Sequence, residues 1–177
     1  MAIMKVVRLI ALVCLLPLAG AAQQAQVKWM SIEEALKASE KNPRKILIDM
    51  YTDWCGWCHK MDRDTFGDST IARYISQNYY AVKMNAETQP DFSYKGRTFK
   101  LLTAAGKSMN EFVLAVTNNR PSYPSIAYLD EQGNVLTVVP GYQKPESLHP
   151  ILQFLKEDKF KTMKFEEFVS RQQPTSK

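Results

Sequence analysis

The stretch IDMYTDWCGWCHKM, residues 48–61, holds a Cys-x-x-Cys pair, Cys55 and Cys58, with His59 directly after it. That spacing supports more than one chemistry. Two thiols this close can open and close a disulfide, the basis of thiol–disulfide exchange. With His59 the same letters spell Cys-x-x-Cys-His, to which c-type haem attaches through two thioethers while the histidine binds iron. Met61, Met84, Met109, Met163 or His149 would then supply the second iron ligand. Zinc on Cys55, Cys58 and His59 is a third reading, but a structural site wants four ligands and His149 is the only other histidine.

The residues before the pair narrow the choice. KILIDMY is a near-continuous apolar run of the kind found in strands buried on both faces. Its oddity is Asp49 in the middle. Burial makes a carboxyl reluctant to ionise and moves its pKa toward values useful for proton transfer. A structural carboxylate paired with a lysine is the other account of it, and Lys83 in the apolar run AVKMN is the obvious partner. A buried strand that ends at the first cysteine leaves no room for a haem macrocycle, which favours the dithiol reading.

Cys55 thus stands where a strand hands over to a helix. Unpaired N–H groups at a helix start favour an anion, and thiols so placed titrate well below the free value of about 8.5. The expectation is an exposed, readily ionised Cys55 and, one turn on, a more shielded Cys58.

The remaining elements follow from periodicity and caps. SIEEALKASE carries Ser31 and Glu34 at capping-box spacing and predicts a helix ending at Asn42-Pro43. CHKMDRDTF predicts a helix stopped near Gly67, and DSTIARYISQ a second, capped by Asp68 or Ser69. YYAVKMNAE is the next strand, parallel to the first because helices connect them. DFSYKGRTFKLL predicts a hairpin turning at Lys95-Gly96. SMNEFVLAVTNN repeats the capping-box spacing, Ser108 with Glu111, and predicts a helix. Ile126 to Leu129, a turn at Glu131 to Asn134, and Val135 to Val139 form a strand–turn–strand. PESLHPILQFLKED is an amphipathic helix with Pro145 in its first turn. FKTMKFEEFV, with Phe160, Phe165 and Phe168, predicts a short docked helix. Two parallel strands, an antiparallel hairpin and helices on both faces make an α/β sandwich.

Lys5 and Arg8, the apolar run Leu9 to Leu18 and the small residues Ala19-Gly20-Ala21 have the layout of a secretory signal peptide, residues 1–21. The apolar run falls short of the ~20 residues of a spanning helix. Removal of that segment leaves about 155 residues, enough for one domain, and takes Cys14 with it. The only remaining cysteines are then Cys55 and Cys58, a pair that closes too small a loop to add much stability. The formal charge falls from +5 to +3 with the loss of Lys5 and Arg8. Without a basic block interleaved with aromatics, nothing calls for nucleic acid.

The segment ILIDMYTDWCGWCHKM resembles the strand and active site of the thioredoxin-like family. An acidic residue lies six positions before the first cysteine, a tryptophan immediately before it and a glycine after it. The resemblance implies a nucleophilic Cys55, a resolving Cys58, a redox disulfide between them, and Asp49 as the proton acceptor. Lys83, Trp54, Gly56, Trp57 and His59 support the site. It also implies a cis peptide bond at Tyr123-Pro124, whose backbone pairs with a substrate peptide like an added strand. The implied architecture is a thioredoxin-like three-layer sandwich with a mixed central sheet: core about 29–158, insert about 88–122 and carboxy-terminal extension 159–177, all in one domain of residues 22–177. The chain departs from the family in having Trp57 where a proline is common, and in the length of the insert. The implied protein is an exported, periplasmic monomeric oxidoreductase with no metal and no bound cofactor. Its partners are protein thiols and disulfides and a membrane or soluble redox protein. A haem carrier, or a binding or chaperone module that keeps the fold without the chemistry, are the alternatives.

Overall fold

The computed structural model describes residues 25–172. The segment 1–21, read from its pattern as a signal peptide, lies outside the described residues, with Cys14 in it.

The chain opens with a two-residue strand β1, Trp29–Met30, and helix α1, Ile32–Lys41. The capping box is formed as its spacing predicts. The Ser31 hydroxyl accepts from the Glu34 N–H at 3.1 Å, and the Glu34 carboxylate accepts from the Ser31 N–H at 2.8 Å. Strand β2, Ile46–Tyr51, is buried from Ile46 through Met50. Helix α2, Gly56–Met61, runs on into a π-helical turn, Asp62–Phe66. The expected single helix to Gly67 is therefore widened in its second half. At Gly67 a Cβ would lie 2.3 Å from the Arg63 carbonyl oxygen, so the close of the turn admits only glycine. Helix α3, Ser69–Asn78, is capped by the Asp68 carboxylate, which accepts from the Thr70 and Ile71 N–H groups at 2.9 Å. Strand β3 is Tyr80–Asn85.

The insert holds two hairpins and a helix. Strands β4, Phe92–Tyr94, and β5, Arg97–Phe99, turn at Lys95-Gly96 as expected, both turn residues having positive φ. A second hairpin, β6, Leu101–Ala104, and β7, Lys107–Asn110, was not foreseen. It corrects the reading of Ser108 and Glu111 as a capping box. The Ser108 hydroxyl faces Thr103 across the hairpin at 2.8 Å, and the Glu111 carboxylate accepts from the Lys100 N–H. Helix α4 is the short Glu111–Val116, capped instead by the Asn110 side chain, which accepts from the Phe112 N–H. Strands β8, Ser125–Leu129, and β9, Val135–Pro140, follow, then helix α5, Pro145–Lys156, a 3-10 turn, Lys159–Lys161, and helix α6, Phe165–Gln172.

The central sheet has five strands in the order β1-β3-β2-β8-β9. The β1–β3 and β3–β2 pairs are parallel and the β2–β8 and β8–β9 pairs antiparallel. Alternation along β2 sends Ile46, Ile48 and Met50 to a core closed by α1, α4 and the β4–β5 hairpin. Leu47 points the other way, into a core closed by α2, α3, α5 and α6. Asp49 shares that second face by the same alternation.

The carboxy-terminal extension is docked by aromatic contacts. Phe154 of α5 lies 5.3 Å from both Phe165 and Phe168 and 6.4 Å from Phe160, ring to ring. Truncating Phe154, 8% exposed, to alanine is expected to destabilise the protein by about 3–5 kcal/mol in urea unfolding. A loss under about 1 kcal/mol would show that these rings carry little of the docking.

Candidate active site

The parallel register of β2 on β3 sets Asp49 opposite Lys83. The Lys83 ammonium donates to Asp49 Oδ2 at 2.5 Å and also bonds Asp62, on the π-turn. Asp49 is 1% exposed. Burial is the largest influence on its carboxyl and pushes the pKa up to about 6, Lys83 opposing and Asp62 reinforcing the rise. Lys83 stays a firm cation: burial disfavours its charge, and Asp49 and Asp62 together outweigh that. Three rings wall it in, with its ammonium 4.8 Å from the Tyr51 centroid, 5.1 Å from Trp29 and 5.6 Å from Phe66.

Directly after β2, Cys55 caps α2. Its sulfur accepts from the Cys58 N–H at 3.1 Å, and its carbonyl accepts from the His59 N–H at 3.2 Å. The two cysteines form a disulfide, which leaves neither sulfur for a thioether. Cys55 is 5% exposed and Cys58 1%. The order of shielding is as expected, but the expectation that Cys55 is exposed is corrected: in the disulfide it is buried. The helix start nonetheless presents an N–H to the sulfur that would carry charge after reduction.

The flanking residues are held in different ways. Trp54 and Trp57 are 69% and 60% exposed. The Trp54 indole N–H donates to both oxygens of Glu87, at 3.0 and 3.1 Å, and its ring meets Tyr123 edge-on at 6.1 Å. Trp57 lies 5.5 Å from Tyr142. Asn85 ties the active-site loop to the end of β3, donating to Asp53 Oδ1 at 2.9 Å and accepting from the Glu87 N–H at 3.0 Å. His59 is exposed, its Nε2 3.0 Å from the Asp53 carbonyl oxygen. At Gly56 nothing lies within 4 Å of where a Cβ would be, so no steric need for glycine exists there.

The Tyr123-Pro124 bond is cis and Pro124 is buried. The Tyr123 hydroxyl donates to the Met109 sulfur of β7 at 3.2 Å, so the unforeseen hairpin reaches the proline loop. His149 packs edge-on against Tyr74 of α3, a contact with no part in the cysteine pair.

Asp49 and Lys83 are thus brought together, as are Cys55 and Cys58, and Trp54 with Tyr123. Sequence reasoning missed Asp62, Glu87, Asn85, Tyr142 and Met109. For Asp62 a signal existed: it lies four residues after Cys58, one helical turn, and so on the same side. The others depend on contacts between loops distant in sequence.

The raised Asp49 pKa sets a pH dependence. The folded state keeps a proton on Asp49 where the unfolded chain, titrating in the usual carboxylate range, has lost it. Stability therefore falls as pH rises from about 4 to about 6 and levels off above. Asp49→Asn removes this penalty. The variant is expected to match the wild type near pH 4 and exceed it by up to about 3 kcal/mol above pH 7 in urea unfolding of the oxidised protein. A stability difference that does not grow with pH would contradict the assignment.

Comparison with known proteins agrees with this geometry. Residues 32–156, more than half of the chain, match the family described as a thioredoxin-like domain. The thiol:disulfide interchange protein DsbD of Ralstonia nicotianae is 26% identical over 124 residues, 69% of this chain and 17% of that protein. Spermatogenesis-associated protein 20 of Homo sapiens is 27% identical over 101 residues, 57% of this chain and 13% of that protein. The chain spans less than a fifth of the length of the curated relatives it matches. Among solved structures, a DsbH oxidoreductase aligns with a TM-score of 0.53 at 19% identity, over 75% of this chain and 86% of its own. A thioredoxin from Thermus thermophilus aligns with a TM-score of 0.53 at 14% identity, over 73% and 87%. At these identities the structural likeness is one of fold. With the family match, the five-stranded mixed sheet and the Cys-x-x-Cys disulfide at the start of α2 in view, the chain belongs to the thioredoxin-like family.

Proposed function

We propose that this chain is an exported thiol–disulfide oxidoreductase that reduces disulfides in protein substrates through Cys55 and Cys58. The observation that carries the reading is the Cys55–Cys58 disulfide itself, seated at a helix start with the Cys58 N–H aimed at the Cys55 sulfur. In the reduced enzyme, Cys55 thiolate attacks a substrate disulfide and one substrate thiolate leaves. Asp49 takes the Cys58 proton, and the Cys58 sulfur attacks Cys55. The second substrate thiolate leaves, and the cysteines end as a disulfide. A second dithiol protein, in the membrane or soluble, returns the pair to the reduced state.

The other residues take supporting parts in this reading. Lys83 is the counter-ion of Asp49. Trp54 and Trp57 offer apolar surface on either side of the pair, and Gly56 leaves the approach between them open. His59 tunes the local field. Because the Pro124 carbonyl accepts from the Gly141 N–H at 2.8 Å, the backbone available to a substrate peptide beside it is that of Tyr123.

What supports the reducing direction is the modest set of donors around the Cys55 sulfur. A strong oxidant holds its reduced form by lowering the pKa of the attacking thiol far below neutrality. Here, among the described residues, the sulfur accepts one backbone N–H, that of Cys58, the His59 ring is turned to the Asp53 carbonyl, and an acidic group lies buried in the adjoining strand. Export rests on the signal-peptide pattern of residues 1–21. No helix among the described residues is long and apolar enough to cross a membrane. The working unit in this reading is a monomer of residues 22–177, one domain with no bound cofactor, and the relatives named as thiol:disulfide interchange proteins support its chemistry.

Wild type should reduce insulin and Cys55→Ser should not; equal rates would refute the enzymatic reading. Equilibration with a glutathione buffer is expected to give a potential near −270 mV, as in reducing members of the fold. A value near −120 mV would reverse the assigned direction while leaving the exchange chemistry intact.

A further inference from the structure

The Asp49–Lys83 pair has a third member that the reaction as described does not use. Asp62 comes from the π-turn, not from the sheet, and bonds the same ammonium. Exposure is graded along the three groups, with the Asp49 side chain 1% exposed, Lys83 20% and Asp62 39%. Asp49 uses only Oδ2 toward Lys83. Among the described residues its Oδ1 is buried without a hydrogen-bond partner.

That asymmetry needs a cause, because a lysine ammonium has three donors and a lone buried carboxylate would draw them onto both of its oxygens. The rings of Tyr51, Trp29 and Phe66 confine the ammonium, so its position is decided between the two carboxylates. The other charged or titratable groups around the cluster do not compete. Asp64, on the same turn, bonds Lys60 at 2.5 Å and Arg63 at 2.9 Å. Tyr128 of β8 feels the Asp49 charge, but burial holds its phenol neutral. Asp62 is the other carboxylate that the Lys83 ammonium bonds.

We propose that Asp62 is a positioning residue of the exchange reaction, sharing the Lys83 ammonium with Asp49 so that one Asp49 oxygen stays free to receive the Cys58 proton. The inference rests on the reading of Asp49 as the proton acceptor. In that step the Cys58 S–H bond breaks and an O–H bond forms on Asp49 Oδ1. The Cys58 sulfur keeps the electron pair, bonds to Cys55, and the substrate sulfur leaves with the pair of the broken S–S bond. As Asp49 becomes neutral, Asp62 remains the anion facing Lys83, so the buried ammonium is never left without a counter-ion. Without Asp62, Lys83 would belong to Asp49 alone, and the better stabilised carboxylate would be a weaker base toward the Cys58 proton.

The test follows the Asp49 side-chain carboxyl carbon by NMR as a function of pH in the oxidised protein, beside the pH profile of insulin reduction. In Asp62→Asn the Asp49 midpoint is expected to drop from about 6 by about one pH unit. The activity falls with it, and Asp62→Glu restores both. Lys83→Met is expected to move the midpoint the opposite way, and Asp64→Asn to leave it in place. A residue that merely braced the turn would not lower the Asp49 midpoint on losing its charge and restore it as Asp62→Glu. An unmoved or raised midpoint in Asp62→Asn overturns the proposal, even where Asp49→Asn slows turnover. Should Asp49→Asn leave resolution of the mixed disulfide at its wild-type rate, the reading of Asp49 itself fails instead. If Asp62→Asn does not fold, Asp62→Ser and the Lys83→Met shift decide the matter by the same criterion.

Discussion

An ionised carboxylate in the middle of a buried strand needs a cation delivered to it, and the parallel pairing of β2 with β3 makes that delivery. Asp49 and Lys83 are register partners on the same face. A slip of one residue would turn Lys83 to the opposite face and leave Asp49 with no cation at all. The strand pairing that builds the sheet and the electrostatics of the site are therefore one constraint. The first helix α1, the crossover through α2 and α3, and the short strand β1 all serve to hold that register. β1 also brings Trp29 over the lysine.

The same constraint explains the shape of the helix that carries the cysteines. α2 begins with Cys55 as its cap and ends after Met61, where the turn widens. The widened turn presents Asp62 to Lys83 and seats Phe66 against both the lysine and Trp29, whose rings meet edge-on at 5.0 Å. One short segment thus spans from the disulfide at its start to the buried charge cluster at its end. At its mouth the site is aromatic on both sides, with Trp54 braced by Glu87 and Tyr123 and Trp57 by Tyr142. The disulfide is buried, while the two tryptophans next to its cysteines in the chain are exposed.

Much of this was legible in the chain because its signals are local. The Ser31–Glu34 box, the Asp68 cap, the Lys95-Gly96 turn and the apolar run around Asp49 each stand within a few residues of what they specify, and each formed as read. Ser108 with Glu111 had the same local spacing yet formed no cap. The competing partners, Thr103 and the Lys100 N–H, are brought by a hairpin whose four-residue strands are too short to announce themselves. β1, with two residues, carries no period at all. The widening of the turn after Met61 has no local mark except Gly67, whose missing side chain makes room for the Arg63 carbonyl.

What the sequence by itself determined is the chemistry on offer and its framework. It supplied a dithiol pair at the junction of strand and helix, an acid where an acid is costly, and a lysine in the neighbouring strand. Residue type and spacing are enough for these, because strand and helix periods set which side chains share a face. Only the tertiary structure decided how the acid is paired. That Lys83 is divided between Asp49 and Asp62, that one oxygen of Asp49 is left unpaired among the described residues, that Glu87 reaches Trp54 and that Met109 reaches the proline loop depend on side chains meeting from separate elements. Such meetings depend on the packing of whole layers, and no window of neighbouring residues contains the distances that make them.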